Sequence, residues 1–336
     1  MMVMISVLLP TSTGTPTGHV GRSEKVSRAG SYMFSRRTGR RRDVDEKSED
    51  LARVPSAAMS VAGLPRALPH DKNFREIFDN VFFMKGAMTN SMLCKCTAAA
   101  YSRSMVVVRT GGSLTIINSL RLSEAGLAKL NALGDVKHVI RIAAAHGRDD
   151  LFYKRVYGAK VWAVEGTKYV RGLNYKADAY FTPDVWMNAS TVLPIPHAKL
   201  AIVNTAYGAP EGSLLLRGGG GVLISGDNMH NWDGPDKYFN LEARILLPLI
   251  GMTKPCQMGP MWKVSLQPDV SDLRALLDLP WDSVLPSHGE PVLGGAKEKY
   301  RESLLGLCPD PPLLAVFRWL RDIFVTRIVN ANDKWN

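Results

Sequence analysis

The sequence contains few cysteines and no long apolar run. Only four of its 336 residues are cysteine, Cys94, Cys96, Cys256 and Cys308. They are too few and too scattered for a disulfide framework in a chain of this length, so a reducing compartment is expected. Cys94 and Cys96 lie two residues apart, and the pair is typical of two small buried side chains rather than of a metal site. Because no segment remains uncharged over a membrane-spanning length, the sequence predicts a soluble chain with no transmembrane segment.

Acidic residues are nearly absent from the first 42 positions, which hold eight Lys or Arg and one Glu. This segment therefore carries +7 of the formal net charge of +11. Residues 11–42 are rich in Ser, Thr, Gly and Arg, a composition that fits an organelle transit segment or a plain disordered leader. The expected location is intracellular, either cytoplasmic or organellar. Since little excess charge is left for the rest of the chain, a nucleic-acid partner is not expected.

The composition changes along the chain in a way that predicts three parts. Residues 1–71 are interpreted as a basic leader and linker, residues 72–308 as the folded domain, and residues 309–336 as a C-terminal amphipathic helix. The helix could dock on its own domain or on a partner. Its apolar face consists of Leu313, Val316, Phe317, Leu320, Ile323 and Phe324.

Short β-like runs alternate with amphipathic stretches from Phe74 onward. Two glycines at 111–112 predict a hairpin turn, and Ser123 predicts the start of a helix that ends at Gly134. Four glycines at 218–221 precede a strand rather than a helix, so they indicate a hairpin tip and not a phosphate-binding loop. The same order of β-rich run, helix, strand and loop occurs in both halves, which favours two packed sheets with helices outside.

Three apolar strands end in a possible metal ligand beside a small residue. The sequences are VIRIAAAHGRDD with His146, Asp149 and Asp150, then GVLISGD with Asp227, and SVLPSHGE with His288. Strand-end loops can bring distant side chains to one rim of a sheet, and imidazole with carboxylate suits zinc. Each residue also has a structural interpretation: the first two aspartates as helix caps, Asp227 in a turn, and His288 as a hydrogen-bonded loop residue.

These motifs resemble those of the metallo-β-lactamase fold superfamily over roughly residues 74–305. LPSHGEPV looks like the last histidine motif of that family, and LISGDN looks like its Gly-Asp motif. The resemblance implies an α/β fold, namely a four-layer αββα sandwich of two mixed β-sheets with external helices. It also implies a metal-dependent hydrolase, in which the metal acidifies a bound water and polarises the bond under attack.

The family's HxHxDH motif is incomplete here. Placed on residues 146–151, it keeps His146 and Asp150, but Arg148 and Leu151 stand where two histidines are expected. The loop at 207–213 resembles the next family motif and has Gly208 in place of its histidine. Three of the usual imidazoles are therefore missing.

The residues that remain define a degenerate ligand set. By resemblance, His146, Asp150, Asp227 and His288 would bind one ion, zinc or iron, or no ion at all if the site has been lost. Asp150 would also act as the catalytic base. Since the ligands must be neutral imidazole and ionised carboxylate, occupancy should fall at acid pH.

Four other residues have open interpretations. Arg148 could form a salt bridge with one of the two aspartates that follow it, or bind an anionic substrate group. Tyr207 and Trp232 could line a substrate pocket or pack nearby. His230, three residues after Asp227, could replace a lost imidazole or bind substrate, although its sequence is typical of a surface or loop histidine.

The sequence thus predicts a metal-dependent hydrolase that acts on a small-molecule substrate of unknown identity. The alternative is a non-catalytic binding module that keeps the fold but has lost the metal. His138 and His197 fit strand or loop positions and are not assigned to the candidate site.

Overall fold

A computed structural model describes residues 64–90, 98–170, 178–206, 208–308 and residue 313 of the chain. Residues 1–63, the run 91–97 with two of the cysteines, Tyr207, and the predicted C-terminal helix apart from Leu313 lie outside the described residues. Backbone hydrogen bonds begin before Phe74: the amide of Asp71 donates to the Lys85 carbonyl, and the Pro69 carbonyl accepts from Ala87. Residues 69–71 are therefore hydrogen-bonded to the folded part.

Seven strands form the larger sheet, in the order in which they occur along the chain. The first four pair antiparallel, and the fourth to the seventh pair parallel. The strands are β1 (Arg75–Phe78), β2 (Val81–Asn90), β3 (Ala99–Thr110), β4 (Ser113–Ile117), β5 (Asp135–Arg141), β6 (Lys160–Val164) and β7 (Val185–Met187).

Four strands form the smaller sheet, and a separate two-stranded pair lies beside the candidate site. The strands of this sheet are β8 (Lys199–Val203), β9 (Glu211–Leu216), β10 (Val222–Ser225) and β12 (Ser283–Leu285). β12 pairs parallel with β10, whereas β10 pairs antiparallel with β9, and β9 pairs antiparallel with β8. The separate pair is β11 (His230–Asn231) with β13 (His288–Gly289), and it is parallel.

Six short helices complete the described elements. They are α1 (Glu124–Leu133), α2 (Asp150–Tyr157), α3 (Leu241–Leu249), α4 (Pro260–Leu266), α5 (Val270–Asp278) and α6 (Ala296–Leu304). In the described part of the chain, none of them has both the length and the apolar character required to cross a bilayer.

The main core lies between the two sheets. The larger sheet supplies Phe83, Val106 and Ile140 among others, and the smaller sheet supplies Leu214, Ile224 and Leu285. Burial of each such side chain contributes about 1.5–3 kcal/mol to the stability of the fold.

Helices cover the outer faces of both sheets. Leu127 and Leu130 of α1, with Phe152 and Tyr153 of α2, pack on the larger sheet. Helices α4, α5 and α6 pack on the smaller one. The predicted four-layer αββα sandwich of two mixed sheets is confirmed.

Local sequence signals account for several boundaries. The Ser123 hydroxyl accepts a hydrogen bond from the Gly126 amide and caps α1, as predicted. The glycines at 111–112 join β3 to β4, and those at 218–221 join β9 to β10, so both predicted hairpins are confirmed. Neither aspartate at the start of α2 makes a side-chain cap, because both carboxylates bond elsewhere.

The topology brings three strand ends to one place. Since β10 and β12 are parallel neighbours, the loops that follow them leave the same edge of the smaller sheet. The amide of Gly212 in β9 donates to the carbonyl of Ile142, just beyond β5, over 2.7 Å. This bond holds the end of β5 in the larger sheet against the smaller sheet.

Candidate metal centre

Three of the four predicted ligands meet at this edge. His146 follows β5, Asp227 follows β10, and His288 begins β13. One ligand atom from each lies within 4.8 Å of the other two, which makes them the one such group of His, Cys, Asp and Glu among the described residues. Residues separated by up to 142 positions in sequence are therefore brought together, as the strand-end motifs predicted.

Three imidazoles face a single oxygen of Asp227. Its Oδ1 lies 3.2 Å from Nε2 of His146, 2.9 Å from Nε2 of His288 and 3.6 Å from Nε2 of His230. The three imidazole side chains are 2–4% exposed, but the Asp227 side chain is 14% exposed. The centre is thus enclosed by the rings and reached by solvent at the carboxylate.

His230 corrects the sequence interpretation, which favoured a surface or loop position. It is 2% exposed and lies in β11, directly paired with His288 of β13. Its ring centroid is 4.7 Å from that of His288. The offset of three residues from Asp227 was the available signal, but nothing in the sequence showed that β11 would pair with β13.

His288 is held by its other ring nitrogen. Nδ1 lies 2.8 Å from the carbonyl oxygen of Ser102 in β3. A carbonyl can only accept, so Nδ1 must carry the hydrogen, and in the neutral ring Nε2 then presents a lone pair. This lone pair faces the Asp227 carboxylate at 2.9 Å. Two acceptors this close require a proton or a cation between them.

The donor set fits a zinc ion. With bonds of about 2.0–2.2 Å, two donors on one tetrahedral zinc lie about 3.3–3.6 Å apart. The distances from Asp227 Oδ1 to His146 and His230, 3.2 and 3.6 Å, are close to this range, and the distance to His288, 2.9 Å, is shorter. In addition, Nδ1 of His146 and both ring nitrogens of His230 are buried without a hydrogen-bond partner among the described residues. Buried polar nitrogens are costly without a partner, and an ion would use Nε2 of His230 after a small movement.

The local electrostatics keep the donors in the states that metal binding needs. Burial lowers the pKa of His146, and it lowers the pKa of His230 to about 4, despite the attraction of Asp227 in both cases. Burial alone would raise the pKa of Asp227, but His146 by charge and hydrogen bond, with the other two imidazoles, holds it well below its usual value. Neutral imidazole and ionised carboxylate are the expected forms near pH 7.

Aromatic rings form one wall of the centre. Trp232 is 2% exposed, lies 5.0 Å from the His288 ring, and donates from Nε1 to the Ser102 hydroxyl. Tyr101 packs against both rings at about 6 Å. Trp232 therefore packs beside the centre, and it also fixes the strand segment that holds His288.

Asp150 does not join the group. It is fully buried, and its two carboxylate oxygens accept hydrogen bonds from the hydroxyls of Ser119, at 2.6 Å, and Tyr169. Burial raises its pKa despite these bonds. The geometry therefore places Asp150 in a network that attaches α2 to the larger sheet, rather than among the donors.

Arg148 does not form the salt bridge considered from the sequence. Its guanidinium donates to the carbonyl of Thr89, over 2.9 Å, and to the side chain of Asn90. Asp149 instead pairs with Arg103 of β3, an interaction that the sequence gave no means to anticipate. Arg148 is thus bonded to the end of β2 and does not take the place of an ion among the donors.

A second buried carboxyl group lies near Asp227. Glu211, at the start of β9, is fully buried and its Oε1 accepts from the backbone amide of Asn228 over 2.5 Å. Burial and the neighbouring Asp227 raise its pKa well above the usual range. Glu211 thus holds the turn that carries Asp227, and no motif indicated this role.

The remaining candidate residues lie elsewhere. His138, in β5, is bonded to Nε1 of Trp162 at 3.2 Å, and His197 is exposed. Both positions agree with their assignment outside the site. Gly208 occupies the position of the absent family histidine with a φ of 68°.

Comparison with known proteins gives a likeness of fold alone. No family model and no curated protein matches the sequence. Among solved structures, the chain is similar to the metallo-β-lactamase DIM-1, with 12% identity, a TM-score of 0.47, and coverage of 73% of this chain and 100% of that one. The metallo-β-lactamase from Pontibacter korlensis is 16% identical, with a TM-score of 0.44 and coverage of 70% of this chain and 98% of that one. The metallo-β-lactamase FIM-1 from Pseudomonas aeruginosa, in a mono-zinc form, is 11% identical, with a TM-score of 0.45 and coverage of 73% of this chain and 99% of that one.

Proposed function

We propose that this chain is a metal-dependent hydrolase that holds one ion, zinc or iron, through His146, Asp227 and His288, with His230 as the nearest further donor. The observation that supports this most directly is the close approach of Nε2 of His288 to Asp227 while its Nδ1 is committed to a carbonyl. Nε2 of His230, which is buried without a hydrogen-bond partner among the described residues and lies 3.6 Å from Asp227 Oδ1, supports it independently.

The chain's own residues provide the conditions for hydrolysis. A bound ion would supply an acidified water and polarise the bond under attack. Asp227 remains ionised and partly open to solvent, so it can orient a water at the exposed side. Trp232 and the buried rings exclude bulk water from the opposite side. Asp150 has no part in this proposal, because both of its oxygens are already bonded.

The first test is metal analysis of the purified full-length protein by mass spectrometry. We expect about one equivalent of zinc or iron, and at least tenfold weaker metal affinity in Asp227→Ala and His288→Ala, since each substitution removes a donor. Circular dichroism should show that both variants keep the fold.

His197→Ala is the matched control, because this histidine is exposed and remote in contacts from the centre. It should leave metal content unchanged. If Asp227→Ala and His288→Ala both contain as much metal as the wild type, the ion binds elsewhere.

The alternative is a binding module with the same fold and no metal. It has one observation in its favour: Asp227 already accepts contacts from His146 and His288, which a protonated imidazole would satisfy without an ion. Absence of metal after purification and after reconstitution with zinc and with ferrous iron would select this alternative.

A further inference from the structure

A pocket is lined by residues 65–70, by part of β2 and by residues 148–149 at the start of α2. It has a volume of about 250 Å³, and its polar wall contains Arg66, Arg103, Arg121 and Arg148, with one carboxylate, that of Asp149. Met88 and Leu120 contribute apolar wall. The charged side chains thus leave an excess of three positive charges at a small concave site.

The carboxylate present does not satisfy these cations. Asp149 accepts from the guanidinium of Arg103 and from the backbone amide of Arg121, over 2.7 Å in the second case. The side chain of Arg121 donates instead to the carbonyl of Leu122, and Arg148 donates to Thr89 and Asn90. Only one of the arginines therefore has an anionic partner among the described residues.

Two of the arginines that line this pocket carry a buried donor without a partner among the described residues. Nε of Arg103, a residue only 4% exposed, and Nε of Arg121 are both buried without a hydrogen-bond partner in the described part of the chain. A guanidinium nitrogen always carries a hydrogen and is costly to leave unpaired. A hydrogen-bond acceptor is therefore missing at each of these two nitrogens.

We infer that this pocket binds a phosphate group. The planar guanidinium matches the oxygens of a tetrahedral oxyanion, and a charge of about −1.5 to −2 at pH 7 offsets about half or more of the excess. The volume is below the 300–1,000 Å³ typical of drug-sized ligands, so the site suits one compact group. The apolar wall strengthens the attraction by excluding water.

The pocket is connected to the metal centre without sharing its donors. Arg148 bonds to Asn90, and the Asn90 amide donates to the hydroxyl of Tyr101, whose ring packs against His288. Arg103 directly follows Ser102, the residue that holds His288. The inference does not depend on the proposed function, since no metal donor lines the pocket.

The test is isothermal titration of chelator-treated, full-length protein with inorganic phosphate at low ionic strength. We expect saturable binding with one site, and at least tenfold weaker binding of acetate, which carries a single charge. Removal of metal makes a phosphate bound at the metal centre distinguishable from one in the pocket.

Arg121→Gln is the informative variant, because it removes a pocket cation while leaving the buried Arg103 and Asp149 paired. It should weaken phosphate binding about tenfold, as expected for loss of a charged hydrogen bond. Arg217→Gln, an exposed arginine outside the pocket, should bind as the wild type does.

Three results would overturn the inference. They are binding that appears only after metal is restored, equal affinity in Arg121→Gln and wild type, and acetate binding as tight as that of phosphate. A thermal melt of each variant confirms that the binding data come from folded protein.

Discussion

The ionisation of His230 gives the candidate centre a pH dependence that needs no metal. Its pKa is near 6.5 in an unfolded chain and about 4 in the folded one, because burial disfavours the charged ring. Between these values the unfolded chain binds more protons, so stability falls as the pH decreases from about 6.5 to about 4.

We therefore predict that chelator-treated protein loses about 3 kcal/mol of stability over this interval through His230 alone. Urea unfolding at a series of pH values measures it. His230→Gln should flatten the slope, whereas His197→Gln should retain it. Parallel slopes in all three proteins would contradict a neutral, buried His230.

Asp150 allows a structural role to be separated from a ligand role. In Asp150→Asn, a side-chain NH₂ replaces one of the two oxygens, each of which accepts a hydrogen bond from one hydroxyl. We expect a loss of about 1–3 kcal/mol of stability, measured by urea unfolding, with unchanged metal content. Loss of metal with unchanged stability would instead place this carboxylate at the centre.

At the scale of single residues, the sequence predicted His146, Asp227 and His288 because each follows an apolar strand and lies next to a small residue. It could not show side-chain direction. The bonds of Asp150 to Ser119 and Tyr169, and the pairing of Asp149 with Arg103, depend on contacts between segments 19–46 positions apart. Such contacts leave no local pattern in the chain.

Among the elements, the pair β11 and β13 determines how His230 and His288 face each other. Gly289 has a φ of 90°, and a Cβ at this position would lie 1.9 Å from the carbonyl oxygen of Asn231. Only glycine allows β13 to approach β11 so closely.

We predict that Gly289→Ala costs about 3 kcal/mol or more and reduces metal content, because the strands must separate and His288 moves with β13. Gly111→Ala is the control: φ is 59° there, but no atom lies within 4 Å of the added carbon. It should cost about 1–2 kcal/mol and keep the metal. Differential scanning calorimetry and metal analysis together compare the two variants.

The elements that the sequence predicted are those with a clear repeat and a clear end, such as α1 with its serine cap and the two glycine hairpins. Helix α3 has a capping residue, Asn240, but no clear repeat. It contains Pro248, and Leu241, Ile245 and Leu249 are exposed, so its apolar residues do not mark a buried face. Helix α4 is only seven residues long and begins beside Gly259 and Pro260, which resembles a loop.

For the whole molecule, the separation of charge predicts where any nucleic-acid binding would reside. Since residues 1–42 carry +7 of the net +11, a protein beginning at residue 43, which keeps only the other +4, should bind RNA and DNA at least tenfold more weakly than the full chain. Fluorescence anisotropy at 50 and 200 mM salt measures this. Full affinity in the shortened protein would assign the binding to the folded body instead.

The donors of the centre do not belong to a single sheet. His146 is attached to the larger sheet through β5, whereas Asp227 and His288 follow strands of the smaller sheet. An ion held by all three would therefore link the two sheets of the sandwich. The sheets could not slide or separate without breaking the coordination of that ion. Removal of the ion by a chelator would then lower the resistance of the sandwich to mechanical or thermal opening, in a protein that stays folded under native conditions.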